Sequence, residues 1–283
     1  MTFLRALHRW IGLTLAVVVG AVAVSGGLLL LRDPYYRTAY PLVDAPITVT
    51  ELALRAEVLP RIEQRWQAEG VRLVRFPREG VNAYQVWLGD GTEAFVEPRT
   101  GAVIDRWRWS ERLPAFLFEL HAHLLVRPAG EVVNGVVALV TVFMGLTGVV
   151  LWWPARRCAF RLRGAIPRRS TAGELLRSHA AVGTLTLLPL LVFAGTGAVI
   201  VFYEPTARVM SAWLDARPVE LPTARVAPRD VPRRDWPEIL RVMHDTFPEG
   251  EATFYTPAGR DNARVLFRKR LPGEWHPNGR SYV

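Results

Sequence analysis

Three long stretches without a charged residue constrain the fold of this chain more than any other feature. They are Trp10–Leu31 with 22 residues, Val132–Trp153 with 22 and Ala180–Tyr203 with 24. Each reaches the roughly 20 residues that a helix needs to cross about 30 Å of hydrocarbon. The first stretch is too long for a cleavable signal peptide, and no small-residue cleavage site follows it before Arg32. We therefore expect three membrane-spanning helices in a lipid bilayer.

Basic residues between the second and third stretches predict the orientation. The segment from Pro154 to Glu174 contains six arginines and one acidic residue. The positive-inside rule places such a short loop in the cytoplasm, together with the N-terminus. The two remaining segments then lie on the outer side, which in a bacterial cell is the periplasm. A nucleic-acid patch is the weaker interpretation of the net charge of +9, because the loop is held between two spanning helices. We expect no nucleic-acid partner.

The single cysteine, Cys158, limits the redox chemistry that the chain can support. It excludes an intrachain disulfide, a C-x-x-C pair and an iron–sulfur cluster held by four thiolates. No glycine-rich dinucleotide motif follows a strand and no Walker sequence is present, so NAD(P)H is not expected to bind here.

Two segments outside the spans predict small α+β modules. In residues 33–112, Pro34 and Pro41 bracket an expected irregular linker, and a capping box at Thr48–Glu51 begins a helix. Strands and tight turns at Gly89–Gly91 and Pro98–Gly101 follow. Residues 204–283 repeat the order of helix and strands without the last strand and turn. The predicted strands are Val71–Phe76, Tyr84–Leu88, Ala94–Glu97, Ala252–Tyr255 and Ala263–Phe267.

The expected architecture is a membrane α-helical bundle with α+β periplasmic modules. The pattern ends inside a strand, which leaves two interpretations open: a chain truncated before a fourth spanning helix, or a naturally short chain. The expected segments are helix one at 1–32, a module at 33–112, a short helix with the second span at 113–153, the basic loop at 154–174, the third span at 175–203 and an incomplete second module at 204–283.

A histidine motif occurs twice, at His8 and at His179, at a constant offset of 171 residues. In both copies a glycine follows four residues later (Gly12, Gly183), and a hydroxyl residue plus glycine follow near the end of the apolar stretch. An ionisable side chain at a membrane helix is costly and therefore suggests a function. Two of them at matching depth suggest the axial ligands of a haem b.

The neighbouring residues fit the same hypothesis. Gly12 and Gly183 lie one turn deeper on the same helical faces and leave room for a flat porphyrin. Arg9 and Arg177, with Arg5, lie near enough in sequence to pair with haem propionates. The alternative is two interfacial histidines whose rings extend to the lipid headgroups.

Further histidines lie in the apolar helix at 113–126. His121 and His123 are two residues apart, so they point to different faces and cannot both bind one iron unless the helix breaks there. His244 and His276, in the second module, are interpreted as structural. The Thr147-Gly148 and Thr196-Gly197 pairs are interpreted as small residues at helix contacts rather than as an ion site.

Several motifs together resemble the PepSY-associated transmembrane family of bacteria over nearly the whole chain. The opening segment Leu7–Leu13 resembles the family's first helix, and Phe116–Leu125 followed by Leu146–Pro154 resembles its second. Glu97-Pro98-Arg99-Thr100-Gly101 resembles its Asp-Pro-x-Thr-Gly turn, with Glu97 in place of the aspartate. Gly273–Gly279 is also similar to the family.

The resemblance implies an inner-membrane protein, and some relatives are haem-containing reductases of ferric siderophores. It favours His121 as the ligand of a second haem, whose partner is usually carried by a fourth helix. We therefore expect a haem-dependent oxidoreductase that passes electrons from an unidentified quinol or cytoplasmic reductase to a periplasmic ferric siderophore. The alternative is a non-enzymatic, membrane-anchored module that binds or inhibits a periplasmic protein.

Overall fold

A computed structural model describes residues 2–44, 46, 52–153, 166–167, 169–215, 235–258, 265–276, 278–279 and 281–283. The chain divides into two compact units, a membrane unit of residues 1–27 and 118–219 and a sheet unit of residues 28–117 and 220–283. The helices are α1 (Thr2–Leu29), α2 (Arg32–Ala39), α3 (Leu52–Arg65), α4 (Leu113–His123), α5 (Ala129–Trp152), α6 (Ala172–Val201), α7 (Tyr203–Trp213) and α8 (Trp236–Thr246).

Three of these helices, α1, α5 and α6, are long and apolar enough to cross a membrane, which confirms the three predicted spans. They have 28, 24 and 30 residues. Helices α5 and α6 pack closely because glycines remove side chains from the contact: a Cβ on Gly145 would lie 2.8 Å from Leu191, and one on Gly135 would lie 2.6 Å from Val201. Helix α1 makes few close backbone approaches to either helix.

The sheet unit contains one antiparallel sheet of seven strands in the order β4-β3-β2-β1-β5-β6-β7. Its first four strands form a meander, and β1 pairs with β5 through Val74 and Tyr255. A segment that precedes the second span in the chain and a segment that follows the third span therefore form a single sheet. The strands are β1 (Val71–Arg75), β2 (Tyr84–Leu88), β3 (Thr92–Val96), β4 (Val103–Arg108), β5 (Glu251–Thr256), β6 (Leu266–Arg270) and β7 (Ser281–Tyr282).

Each face of the sheet is covered by a different set of side chains, because successive strand residues point to opposite faces. Helices α3 and α8 bury Leu59 and Leu240 against one face, where Val74 and Tyr255 are also buried. On the other face, Tyr36 of α2 packs against Phe95 and Trp107, with the Tyr36 and Phe95 ring centres 4.9 Å apart. This aromatic cluster anchors α2 on the sheet.

The turns predicted between the first strands are present. Asp90 accepts hydrogen bonds from the backbone nitrogen and the hydroxyl of Thr92, and Gly91 has φ of +82°. Glu97 accepts from the backbone nitrogens of Arg99 and Thr100, at 3.1 and 2.6 Å, and from the Thr100 hydroxyl. The Glu97 side chain therefore closes this turn.

The expected irregular linker after the first span is wrong, because residues 32–39 form α2. Pro34 is the third residue of that helix, where a missing N–H costs no helical hydrogen bond. The negative charge of Asp33 in the first turn interacts favourably with the positive end of the helix dipole. Pro205 occupies the same position in α7. The capping box at 48–51, most of the basic loop and Cys158 lie outside the described residues.

Candidate haem site

His8 is held at the start of the first span by a residue of the second. Its Nδ1 lies 3.0 Å from Oγ1 of Thr147. The Thr147 hydroxyl donates its only proton to the carbonyl oxygen of Met144, 3.1 Å away. When the hydroxyl donates to Met144, Oγ1 accepts from the N–H at Nδ1 of His8. This tautomer leaves the lone pair of Nε2 free, as a metal ligand requires.

The structure brings His8 and His179 together, although they are 171 residues apart in sequence. Their ring centres lie 6.3 Å apart and the ring planes cross at 74°. Two metal–imidazole bonds of about 2 Å each, with about 1 Å from each nitrogen to its ring centre, separate two ring centres by about 6 Å. The spacing therefore fits one metal atom between the two imidazoles.

The glycines near these histidines have different surroundings. A Cβ on Gly183 would meet nothing within 4 Å, so the space beside it is open. A Cβ on Gly12 would lie 3.2 Å from the end of Met144, and one on Gly148 would lie 3.5 Å from Cε1 of His8. Open space beside α6 and the sparse contacts of α1 with α6 are compatible with a flat cofactor between these two helices.

The two arginines predicted to pair with propionates lie on the protein surface. The guanidinium of Arg9 lies 5.2 Å from the centre of the Trp10 ring. The Arg177 side chain is 72% exposed and its Nη2 lies 4.0 Å from Glu174. Neither contact is strong enough to hold a guanidinium away from an anionic ligand. Pairing with propionates stays a prediction.

His121 contacts the other end of α1. Its Nδ1 lies 2.9 Å from the carbonyl oxygen of Val22, which can only accept, so Nδ1 carries the proton and Nε2 has a free lone pair. Gly26 makes room for the ring, because a Cβ there would lie 2.6 Å from Cε1 of His121. Asn134 donates from Nδ2 to the His121 carbonyl oxygen at 2.6 Å. His121 is therefore fixed in the same tautomer as His8.

His123 has a separate set of partners. Its Nδ1 lies 3.2 Å from Oε2 of Glu119, and Arg127 donates to both carboxylate oxygens of that residue. Burial, together with the charge of Arg127, lowers the pKa of His123 despite the nearby carboxylate. His121 and His123 do not share a partner, and in the described parts of the chain no group of three or more His, Cys, Asp or Glu residues can hold a metal ion directly.

Sequence patterns did not identify four contributors to these sites: Thr147, the Val22 carbonyl, Gly26 and Asn134. By sequence alone, the Thr147-Gly148 pair favours a helix contact. The sequence signal for Thr147 is its depth: its hydroxyl lies near the end of the second span, at the same depth as His8 in the first. The backbone carbonyl of Val22 leaves no signal in a sequence.

Three helices apolar enough to cross a membrane, together with an antiparallel sheet covered by helices, are the features of a membrane protein with an α+β unit. The model of the family described as PepSY-associated TM region matches residues 5–275, and the chain belongs to this family. Comparison with curated proteins gives no match.

Proposed function

We propose that this protein is a bacterial inner-membrane haem protein that passes electrons across the membrane to a periplasmic ferric chelate, such as a siderophore. The observation that carries the proposal is the 6.3 Å spacing of His8 and His179, with Nδ1 of His8 held by Thr147. A porphyrin iron needs only two protein ligands, so the lack of a larger cluster among the described residues is compatible with it.

The chain's own residues hold and orient the ligands. His8 and His179 lie on two different spans, α1 and α6. The contact with Thr147 sets the His8 tautomer and directs Nε2 away from α5. The contact with the Val22 carbonyl sets the His121 tautomer and directs Nε2 of that ring away from α1. A bound haem accepts and donates single electrons. The protein supplies its position in the membrane.

The two histidine sites lie near opposite ends of α1. His8 and Val22 are 14 positions apart, which corresponds to about 21 Å along a helix. With the N-terminus in the cytoplasm, His8 and His179 would receive electrons from a quinol or a cytoplasmic reductase, and His121 would lie toward the periplasm. Two sites so separated support transfer from one side of the bilayer to the other.

Reduction at the outer side would release iron from its chelate. Hard oxygen ligands bind Fe(III) more strongly than Fe(II), so one electron lowers the affinity of the chelate for its metal. The sheet unit, built from both periplasmic segments, is the part of the chain available to a soluble acceptor. The histidine sites would lie within the bilayer, on the spans.

An absorption spectrum of the protein purified in detergent tests the proposal. We expect a Soret band that shifts when dithionite is added, and return of the oxidised spectrum when a ferric siderophore is supplied to the reduced protein. Absence of any haem band, in protein expressed with sufficient haem, would instead favour the anchored module that binds a periplasmic protein. A haem band without reoxidation by ferric chelates would leave a haem protein with another acceptor.

A further inference from the structure

Three arginines of the sheet unit surround one carboxylate. Arg32 opens α2, Arg75 ends β1 and Arg78 follows in the next turn. Nη2 of Arg78 lies 2.6 Å from Oδ1 of Asp33, and Nε of Arg32 lies 3.6 Å from the same oxygen. A single aspartate thus connects two of the three guanidinium groups. We refer to Arg32, Arg75 and Arg78 as the arginine cluster.

The arginine cluster carries more positive charge than its surroundings neutralise. Three guanidinium groups face one carboxylate, and Arg75 is not within ion-pair distance of a carboxylate in the described parts of the chain. Burial, reinforced by Arg78 and Arg32, lowers the pKa of Arg75 to about 9. Buried charges are costly unless they are paired, so this excess favours an anion.

Hydrogen-bond donors of the cluster are also without partners. The Nε of Arg32, and both Nε and Nη1 of Arg78, are inaccessible to solvent and have no hydrogen-bond partner among the described residues. A buried N–H without a hydrogen-bond partner destabilises the fold by about the free energy needed to remove that group from water. An oxyanion with several acceptor oxygens can satisfy such donors together, because the planar guanidinium fork matches phosphate geometry.

Arg75 is held in place by neighbours on the far half of the sheet. Its Nη2 donates to Oδ1 of Asn278 at 3.0 Å, and its guanidinium lies 5.3 Å from the Phe254 ring centre. The guanidinium of Arg268 stacks on the same ring at 5.2 Å and also contacts the ring of Tyr282 on the neighbouring strand. The guanidinium of Arg75 is therefore preorganised, which lowers the entropic cost of binding a ligand.

We propose that the arginine cluster binds a phosphate group. Arg32 lies three residues beyond Leu29, where the membrane helix α1 ends, so the sequence places it at the level of the lipid headgroups. Basic pockets at that level bind anionic headgroups. Free phosphate offers the same oxygens. The site is independent of the histidines and of haem binding.

Two probes distinguish the sources of the phosphate. The full chain in detergent is given inorganic phosphate, with the midpoint of thermal unfolding as the readout. Separately, it is given phosphatidylglycerol or phosphatidylcholine, and the retained lipids are counted by native mass spectrometry. We expect phosphatidylglycerol to be retained over phosphatidylcholine. Additional stabilisation by inorganic phosphate would assign the site to phosphate groups in general. Retention of phosphatidylglycerol without stabilisation by inorganic phosphate would assign it to the membrane.

Substitutions locate the site. Arg75→Gln and Arg78→Gln should each weaken binding roughly tenfold or more, since each removes a charge-assisted hydrogen bond. Arg72→Gln removes an exposed arginine from the same strand and should leave binding unchanged. Asp33→Asn removes the competing carboxylate and should strengthen binding. If Arg78→Gln does not fold, Arg75→Gln still decides the result. Absence of binding to the natural chain, or undiminished binding by Arg75→Gln, would overturn the proposal.

Discussion

Gly26 and His121 fit together so closely that no other residue can replace the glycine without moving the ring: a Cβ on Gly26 would lie 2.6 Å from Cε1 and 2.8 Å from Nδ1 of His121. The same ring donates to the Val22 carbonyl one helical turn away. The glycine in the first copy of the repeat therefore positions a histidine that lies outside the repeat.

Gly26→Ala should displace His121 and destabilise the membrane unit by about 1–3 kcal/mol, as overpacking of a filled contact does. Gly27→Ala is the matched control, because a Cβ there would meet nothing within 4 Å. It should be neutral or slightly stabilising, since alanine favours a helix over glycine. Thermal unfolding of both variants in detergent measures the difference. Equal midpoints would show that the ring moves without cost.

Removing either proposed axial ligand should change one haem signal. We expect His8→Ala and His179→Ala to lower the ratio of haem to protein, or to convert a six-coordinate spectrum to a five-coordinate one, because each removes one nitrogen from the 6.3 Å pair. His244→Ala, in the last turn of α8, should leave the spectrum unchanged. A full haem complement with a six-coordinate spectrum in both variants would refute the pairing.

Thr147→Val should weaken haem binding without removing a ligand. The substitution keeps the shape of the side chain but deletes the acceptor of the His8 N–H, and loss of such outer partners typically costs about 10–100-fold in affinity. Thr141→Val controls for burial and helix effects, because Thr141 is equally buried on α5 and bonds only the Val137 carbonyl. Haem titration of both apoproteins gives the comparison; similar affinities would remove Thr147 from the site.

Acid should destabilise the sheet unit in part through Glu97. Burial of this carboxyl opposes ionisation, but the hydrogen bonds from Thr100 and Arg99 outweigh it and hold the pKa of Glu97 below its ordinary value. The folded state then favours the ionised form, so its stabilising contribution is complete above the unfolded pKa of about 4 and is lost as the pH falls through the lower folded pKa.

The measurement for Glu97 is thermal unfolding between about pH 3 and pH 6, around the unfolded pKa of a glutamate. The difference in stability between the natural chain and Glu97→Gln should shrink toward low pH. Asp90, Asp105 and Asp33 also have lowered pKa values and contribute to the overall acid sensitivity, which the comparison with Glu97→Gln subtracts. A pH-independent difference would assign the effect of Glu97 to packing.

Local patterns in the sequence predicted the elements but not the partners across the fold. Uncharged runs located the spans, and alternation with glycine turns located most strands, because both signals are contained within a few residues. The repeat singled out His8 and His179 because their surroundings match. The contact of His8 with Thr147 joins residues 139 positions apart, and no local pattern in the sequence predicts it. A linker is predicted in place of α2 because Pro34 within it and Pro41 just after it favour irregular structure when tertiary contacts are ignored.

The pairing of β1 with β5 has a consequence for biosynthesis. Val74 and Tyr255 are 181 positions apart, and α5 and α6 lie between them in the chain. Contacts of such high sequence separation form late, because the intervening chain must first be ordered. The seven-stranded sheet can therefore close only after both helices have been made and threaded so that the flanking segments emerge on one side. A closed sheet is therefore expected only in chains whose two intervening helices have inserted with the flanking segments on one side.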